Sequence, residues 1–430
     1  MILSGSKIVD VRAREVLDSR GNPTVEAQVS TSSFKVTAIA PSGASTGSHE
    51  VLELRDGGER YLGKGVLKAV ENVNKRIAPK LKGMDAEDLQ AADQAMIDLD
   101  GTPYKKKLGG NAVVAVSLAV AKAGALSKGV ELYEHLGPGS CTLPIPMMNI
   151  INGGKHAGTG LRIQEFMIVP AGAKCFADSL RMGAEVYHTL KSLLKEQFGP
   201  GAINLGDEGG FAPPLEGTRQ ALDLIVKGIE KAGYVPGKDV FLALDCAASE
   251  FCNQGVYELD KRRIGPVDLM EFYFSLAKNY PLVSIEDPFH EEAFDMMSLM
   301  TMRIGHKLQV VGDDMFVTNV QRIRMAIERK AGNATLLKVN QIGTVSEAID
   351  AARLSFDNGY RVVVSHRSGE TEDTSIADLT VALGCGQIKT GAPARGERTA
   401  KYNRLLRIED ELGSKAKFPG AAFYAKKKKE

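Results

Sequence analysis

Two periodicities divide this chain. Between Lys7 and Ala40 apolar and polar residues alternate, in KIVDVRAREVLD, TVEAQVST and FKVTAIA, the pattern of strands with one buried face. SRGNP separates the first two runs and marks a turn, so the segment predicts an antiparallel meander. The period changes at Gly65: Val66, Val70, Val73 and Ile77 fall at helical spacing, and Pro79 is expected to stop the run. Helical stretches follow at roughly 85–98 and 111–128. The second, from Asn111 to about Leu126, is apolar enough to be a buried helix, but reads as too short for a bilayer and contains Ser117 and Lys122. Three strands followed by helices predict a small α+β domain. LGPGSCTLPIP, Leu136–Pro146, is rich in Pro and Gly and is the natural boundary, giving expected domains at 1–137 and 138–430.

Beyond it, short apolar runs alternate with amphipathic helical stretches such as Phe176–Glu196, Gly217–Ala232, Val320–Arg329 and Val345–Asn358. The runs are RIQEFMIVP, AINLGDEGG, VFLALDCAAS, LVSIEDPF, LQVVGDD, TLLKVNQIGT, RVVVSHRSG and QIKTGAPAR. Alternation of strand and helix predicts a mainly parallel sheet, and eight strands predict a closed barrel. The fold class is therefore α/β, with an N-terminal α+β domain ahead of a TIM-like barrel.

Each run delivers a polar residue within or just after its apolar part: Glu165, Glu208, Asp245, Glu286, Asp313, Lys338, His366 and Lys389. In a barrel such residues converge on one mouth. Lys338 breaks an apolar run, so it marks either a structural ion pair or a site. Five carboxylates in one mouth raise each other's pKa unless cations compensate, and two lysines do not balance them. Asp245, Glu286 and Asp313, on consecutive strands, make an oxygen-only set for a hard cation, most simply Mg²⁺. Cys246 should point to the opposite face of its strand from Asp245. A lysine whose pKa is lowered by Lys389 and a metal is suited to abstract a proton α to a carboxylate, and cations stabilise the charge that results. Glu208 with Glu165 is placed to act as general acid on the other face. SHRSG supplies His366, Arg367 and Ser368, and a guanidinium beside a hydroxyl suits a phosphate. PSGASTG, Pro41–Gly47, is either a flexible connector or a mobile lid.

Composition adds exclusions. A formal net charge of +1 over 430 residues favours neither nucleic acid nor a membrane surface. The five cysteines are widely spaced and include no CxxC, which argues against a disulfide framework or zinc site and favours a reducing cytosol. MILSGSKIVDVR lacks the apolar core of a signal peptide. Lys426–Lys429 is either a solvated tail or a docking segment.

SHRSGETED, LLKVNQIGT, SIEDPF, GDEGGFAP, NGGKHAG, PSGASTG and IKTGAPAR together resemble the enolase family, from the VLDSRGNPTVE hairpin to RGERTAKYNRLLRIE. The resemblance implies a barrel of the type ββαα(βα)6, with its second strand antiparallel, which corrects the all-parallel reading. It also implies reversible dehydration of 2-phosphoglycerate to phosphoenolpyruvate, with two Mg²⁺ per active site. Asp245, Glu286 and Asp313 match the ligands of the first ion, and Ser45 matches a ligand of the second. Lys338 matches the base at C2, Lys389 the contact to the substrate carboxylate, and Glu208, supported by Glu165, the acid at the C3 hydroxyl. His156 matches a histidine on a second closing loop. Arg367 and Ser368 match the phosphate binders, with His366 beside them, and Gln164 is expected to orient the acid pair. Family members are commonly dimers, and some are octamers built from dimers; the expected setting is the cytoplasm, with surface binding through Lys426–Lys429 as a side activity. The chain has no tryptophan and carries Gly396 where many members carry serine; neither touches a site residue.

Two other functions stay open at this level. Another superfamily member, a racemase or cycloisomerase, would carry a lysine motif on the second strand, where this chain has Asp207 and Glu208. A non-catalytic, surface-binding relative could dispense with the base or acid, yet those positions are intact.

Overall fold

The computed structural model describes residues 5–44, 47–154 and 160–425. The meander forms as expected. β1 (Asp10–Leu17), β2 (Pro23–Ser30) and β3 (Lys35–Ile39) pair antiparallel in that order. In the β1–β2 turn, Asp18 Oδ1 accepts from the N–H groups of Arg20 and Asn22, at 2.8 and 2.9 Å. Gly21 takes φ +74° there, a conformation that costs glycine little.

Two expectations in this region are corrected. Pro79 does not stop its helix. The helix runs Leu67–Asn72, passes through a π turn at Val73–Ile77 and continues over Ala78–Leu81. The wider turn accommodates a residue that lacks the amide donor. The apolar helix, Gly110–Lys128, is 19 residues long, enough by length and composition to cross a membrane. It is nevertheless the core helix of the N-terminal region, buried against β2 and β3.

The barrel is closed, in the order β10-β11-β12-β13-β14-β4-β5-β6. Its strands are β4 (Ile145–Asn152), β5 (Glu165–Val169), β6 (Phe241–Asp245), β10 (Leu282–Glu286), β11 (Gln309–Gly312), β12 (Ala334–Leu337), β13 (Arg361–Ser365) and β14 (Gln387–Lys389). A small antiparallel sheet, β7 (Cys252–Asn253), β8 (Val256–Leu259) and β9 (Arg262–Ile264), follows β6. β5 pairs antiparallel with both neighbours, and the other barrel pairings are parallel.

Eight barrel strands are present, but not the eight runs of the sequence reading. AINLGDEGG is not a strand. Its first part is the short helix Pro200–Ile203, and the rest is a loop with isolated bridges from Phe211 to Ile151 and Leu205. Gly209 at φ +85° turns the chain away from extended geometry. The missing strand is IPMMNIIN, which begins inside the Pro- and Gly-rich boundary segment.

The barrel interior is packed by Ile145, Met147, Met167, Val169, Ala243, Val283, Val311, Ala334, Leu336 and Val363. Phe423 and Tyr424 close it from the end remote from the site, under the Arg361 guanidinium, 4.7 and 5.8 Å above their rings. Cys246 lies instead in the cluster between strands and helices, as its alternation with Asp245 requires. The N-terminal core runs into the barrel's outer layer through Leu337, Val339, Ile342 and Val345. The β1–β2 turn touches the loop after β13, where the Ser19 N–H donates to Glu370 O at 2.7 Å. Ser42 and Gly369 exchange backbone bonds at 2.7 and 2.8 Å.

Candidate active site

Strand alternation aims the mouth residues. Leu336 faces the interior, so Lys338, two residues on, faces the same way, and Ala243 does the same for Asp245. β5 is reversed, so its first residue, Glu165, lies at the end where the other strands finish. It stands in register with Asp245, which stands in register with Glu286. Lys389 Nζ sits among all three, 3.0 Å from Glu165 Oε1, 2.9 Å from Asp245 Oδ2 and 2.9 Å from Glu286 Oε1. Lys338 Nζ lies 2.5 Å from Asp313 Oδ2, and Gln341 donates to Asp313 Oδ1 at 2.8 Å.

The electrostatics follow from crowding in a dry site. Burial, then the charge of Glu208, pushes the Glu165 carboxyl well above its ordinary range. Burial, then Asp245, does the same to Glu286. For Asp245 burial works upward, but Lys389 outweighs it and the carboxyl is held down. Burial pulls both lysines down, yet the carboxylates win: Asp245, Glu165 and Glu286 hold Lys389 well above its usual value, and Asp313 holds Lys338 up. The lowered Lys338 pKa expected from the sequence is therefore not a property of these side chains alone.

On the opposite side, Asn149 donates to Glu208 Oε2 at 2.9 Å, and Ser368 Oγ lies 3.4 Å from Oε1. His366 Nε2 is 3.6 Å from Glu208 Oε2. Burial, with Arg398 and both lysines adding, keeps His366 neutral. Gln164, expected to orient the acid pair, donates to Asp245 Oδ2 at 3.3 Å, and Asn149 braces Glu208. Arg367 is buried, and both arms of its guanidinium meet Glu50, at 2.9 and 3.2 Å, with Asn340 Oδ1 at 3.0 Å. Ser45, His156 and Lys426–Lys429 lie outside the described residues.

Sequence reasoning missed several residues that the fold brings in. Asn340 and Gln341 stood within LLKVNQIGT and Glu50 just beyond PSGASTG, each beside a residue already singled out. Arg398 stood within RGERTAKYNRLLRIE, and Asn149 had no local signal. Asp287 was hidden next to Glu286; its two oxygens accept the N–H groups of Asp313 and Asp314, at 2.9 and 2.7 Å. Side-chain oxygens of Asp287, Asp313 and Asp314 all lie within 4.8 Å of one another.

The donor set fits a hard cation. Every carboxylate around Lys389 offers oxygen, and Glu286 Oε2 and Glu165 Oε2 are buried with no hydrogen-bond partner among the described residues. Buried oxygens in that condition are costly unless a proton or cation meets them.

Comparison with known proteins agrees with this geometry. A family model described as "Enolase, N-terminal domain" matches residues 8–136, and one described as "Enolase, C-terminal TIM barrel domain" matches 140–427. An enolase of Methanocaldococcus jannaschii is 59% identical over 419 residues, covering 97% of this chain and 98% of the relative. An enolase of Thermococcus gammatolerans is 56% identical over 420 residues, with 97% and 98% covered. One from Corynebacterium kroppenstedtii is 55% identical over 424, with 97% and 99% covered. With both domains matched and the acid-lined barrel mouth in place, the chain belongs to the enolase family.

Proposed function

We propose that this chain catalyses the reversible Mg²⁺-dependent dehydration of 2-phospho-D-glycerate to phosphoenolpyruvate, the phosphopyruvate hydratase step of glycolysis and gluconeogenesis. The observation that carries the assignment of roles is the position of two strands. β12, which leads into Lys338, is four strands from β5, which begins at Glu165, in a closed barrel of eight. Lys338 and Glu165, the residue that supports the acid Glu208, thus stand on opposite walls of one mouth, which supports removal of a proton and a hydroxyl from opposite faces of one substrate.

In this reading Lys338 takes the C2 proton, and the electron pair delocalises onto the substrate carboxylate, beside Lys389. The pair then forms the C2–C3 double bond as the C3 hydroxyl leaves as water, with its proton from Glu208. Glu165, whose carboxyl pKa burial and the charge of Glu208 push up, supports that step. Arg367 and Ser368, with His366, hold the phosphate, Gln164 sets Asp245, and His156 closes over the substrate. Asp245, Glu286 and Asp313 would hold one Mg²⁺, and Ser45 would join a second. When bound, the ions offset the carboxylate charge that keeps Lys338 protonated and stabilise negative charge on the substrate carboxylate.

All five cysteines are free, which supports a cytosolic setting, and the family resemblance supports a homodimer or an octamer. The test follows phosphoenolpyruvate absorbance from 2-phosphoglycerate with and without Mg²⁺. Absence of product with metal present overturns the reading.

A further inference from the structure

Arg398, in the first turn of helix Gly396–Leu412, is completely buried. Its guanidinium spans three pieces of backbone. Nη2 donates to Asp207 O at 2.9 Å and to Ser368 O at 2.6 Å. Nη1 donates to Arg367 O at 2.5 Å and meets His366 Nδ1 at 2.6 Å. It therefore ties the loop that carries Glu208 to the loop that carries His366, Arg367 and Ser368. The approach depends on Gly391: a Cβ there would lie 2.9 Å from Arg398 Cδ and 2.8 Å from Glu208 O, at φ +82°.

The contact to His366 has a chemical consequence. A guanidinium has five N–H donors and no acceptor, and it does not lose its charge in a protein. Nδ1 must accept, so the ring cannot carry a proton there. A neutral imidazole then holds its hydrogen on Nε2. That nitrogen is buried, has no partner within hydrogen-bond distance among the described residues, and lies 3.6 Å from Glu208 Oε2. Among the described residues the charged or titratable groups around the ring are Glu208, Glu165, Arg398, Lys389 and Lys338, with oxygens of Glu208 and Glu165 within 4.8 Å of a ring nitrogen and of each other; burial and the three cations disfavour a second proton.

We propose that Arg398 is a positioning residue that locks His366 as the neutral Nε2–H tautomer and aims that hydrogen at Glu208. This rests on the reading of Glu208 as the acid. An N–H facing Glu208 stabilises the carboxylate left when the proton goes to the departing hydroxyl. Arg398 then acts on the dehydration step beyond whatever its bonds to the Arg367 and Ser368 carbonyls add to substrate binding, which dehydration and C2 exchange share.

The test begins with wild-type enzyme labelled with ¹⁵N-histidine and loaded with Mg²⁺. The His366 ring is assigned by loss of its signals in His366→Gln. We expect a pyridine-type Nδ1 and a pyrrole-type Nε2. A pyrrole-type Nδ1, alone or with a protonated Nε2, overturns the proposal without any Arg398 variant. In Arg398→Gln, whose amide can accept as well as donate, the tautomer preference should relax. Dehydration should fall by about tenfold to a hundredfold, the usual effect of losing an outer partner, while C2 exchange at saturating substrate falls much less. Arg398→Lys, still a pure donor, should restore the Nε2–H signature. An unchanged tautomer in Arg398→Gln, or equal loss of exchange and dehydration, sinks the idea. If Glu208→Gln dehydrates normally, the acid assignment fails instead, and the tautomer result still stands on its own.

Discussion

Glu50 and Arg367 form a two-armed ion pair across the seam between the N-terminal region and the barrel, at 2.9 and 3.2 Å, with side chains 9% and 3% exposed. Glu50 also accepts from the Gly47 N–H at 3.1 Å, so one carboxylate links the loop after β3 to the proposed phosphate binder.

Removing Glu50 takes away the carboxylate that meets both arms of a buried guanidinium. Glu50→Ala is expected to lower stability by about 3–5 kcal/mol, read from the urea midpoint at constant slope. An unchanged midpoint means that the pair has no structural weight. Arg367→Ala should weaken 2-phosphoglycerate binding by about 1.5–3 kcal/mol through lost charge-assisted bonds, seen as a raised KM.

The base and the acid separate in an isotope experiment. Lys338→Ala should abolish exchange of the C2 hydrogen with deuterated solvent. Glu208→Gln should stop dehydration and keep some exchange. Free exchange in Lys338→Ala would show that the base is another group.

Metal dependence gives a readout besides turnover. Chelation should remove activity, and added Mg²⁺ should raise the thermal midpoint by mass action, about 2.7 kcal/mol of stability at a hundredfold excess over Kd. Glu286→Gln should blunt that rise, because a ligand charge is lost. A full metal-induced shift in this variant places the ion elsewhere.

Asp93 offers a pH test away from the site. It is fully buried on helix Leu89–Asp100, and one oxygen accepts from the Ser346 N–H at 3.0 Å. Burial raises its pKa from 3.8 to about 6. The folded state then binds more protons than the unfolded state between those values. The stabilising contribution is full below pH 3.8 and is lost as the pH rises through about 6. The change amounts to about 3 kcal/mol. Urea unfolding of wild type and Asp93→Asn across this window should give curves that diverge in slope. Parallel curves contradict the assignment.

How legible the protein was depended on whether its signal was local. The meander and most helices follow from spacing within a few residues. Helix Val320–Arg329 has the bounds that its periodicity predicts. β4 was hidden because Pro144 and Pro146 flank or enter it, so punctuation residues masked a strand. AINLGDEGG imitated a strand because its apolar residues precede glycines whose turn geometry only the packed loop reveals. The mouth residues could be singled out from one dimension, since a polar residue ending an apolar run is visible there, although the run that carries Glu208 is a loop and not a strand.

By itself the sequence determined the strand faces, the residue types that line the mouth and the motifs that mark the family. Alternation by two residues is a property of any strand, so Lys338 had to follow Leu336 inward. Tertiary structure alone decided which charges meet. Barrel closure set Glu165, from a reversed strand, against Asp245, and brought Lys389 among three carboxylates. It paired Glu50 with Arg367, 317 residues apart, and set Arg398 on His366, 32 residues away. Such pairs have no sequence period, because their geometry is fixed by elements that pack together from distant parts of the chain.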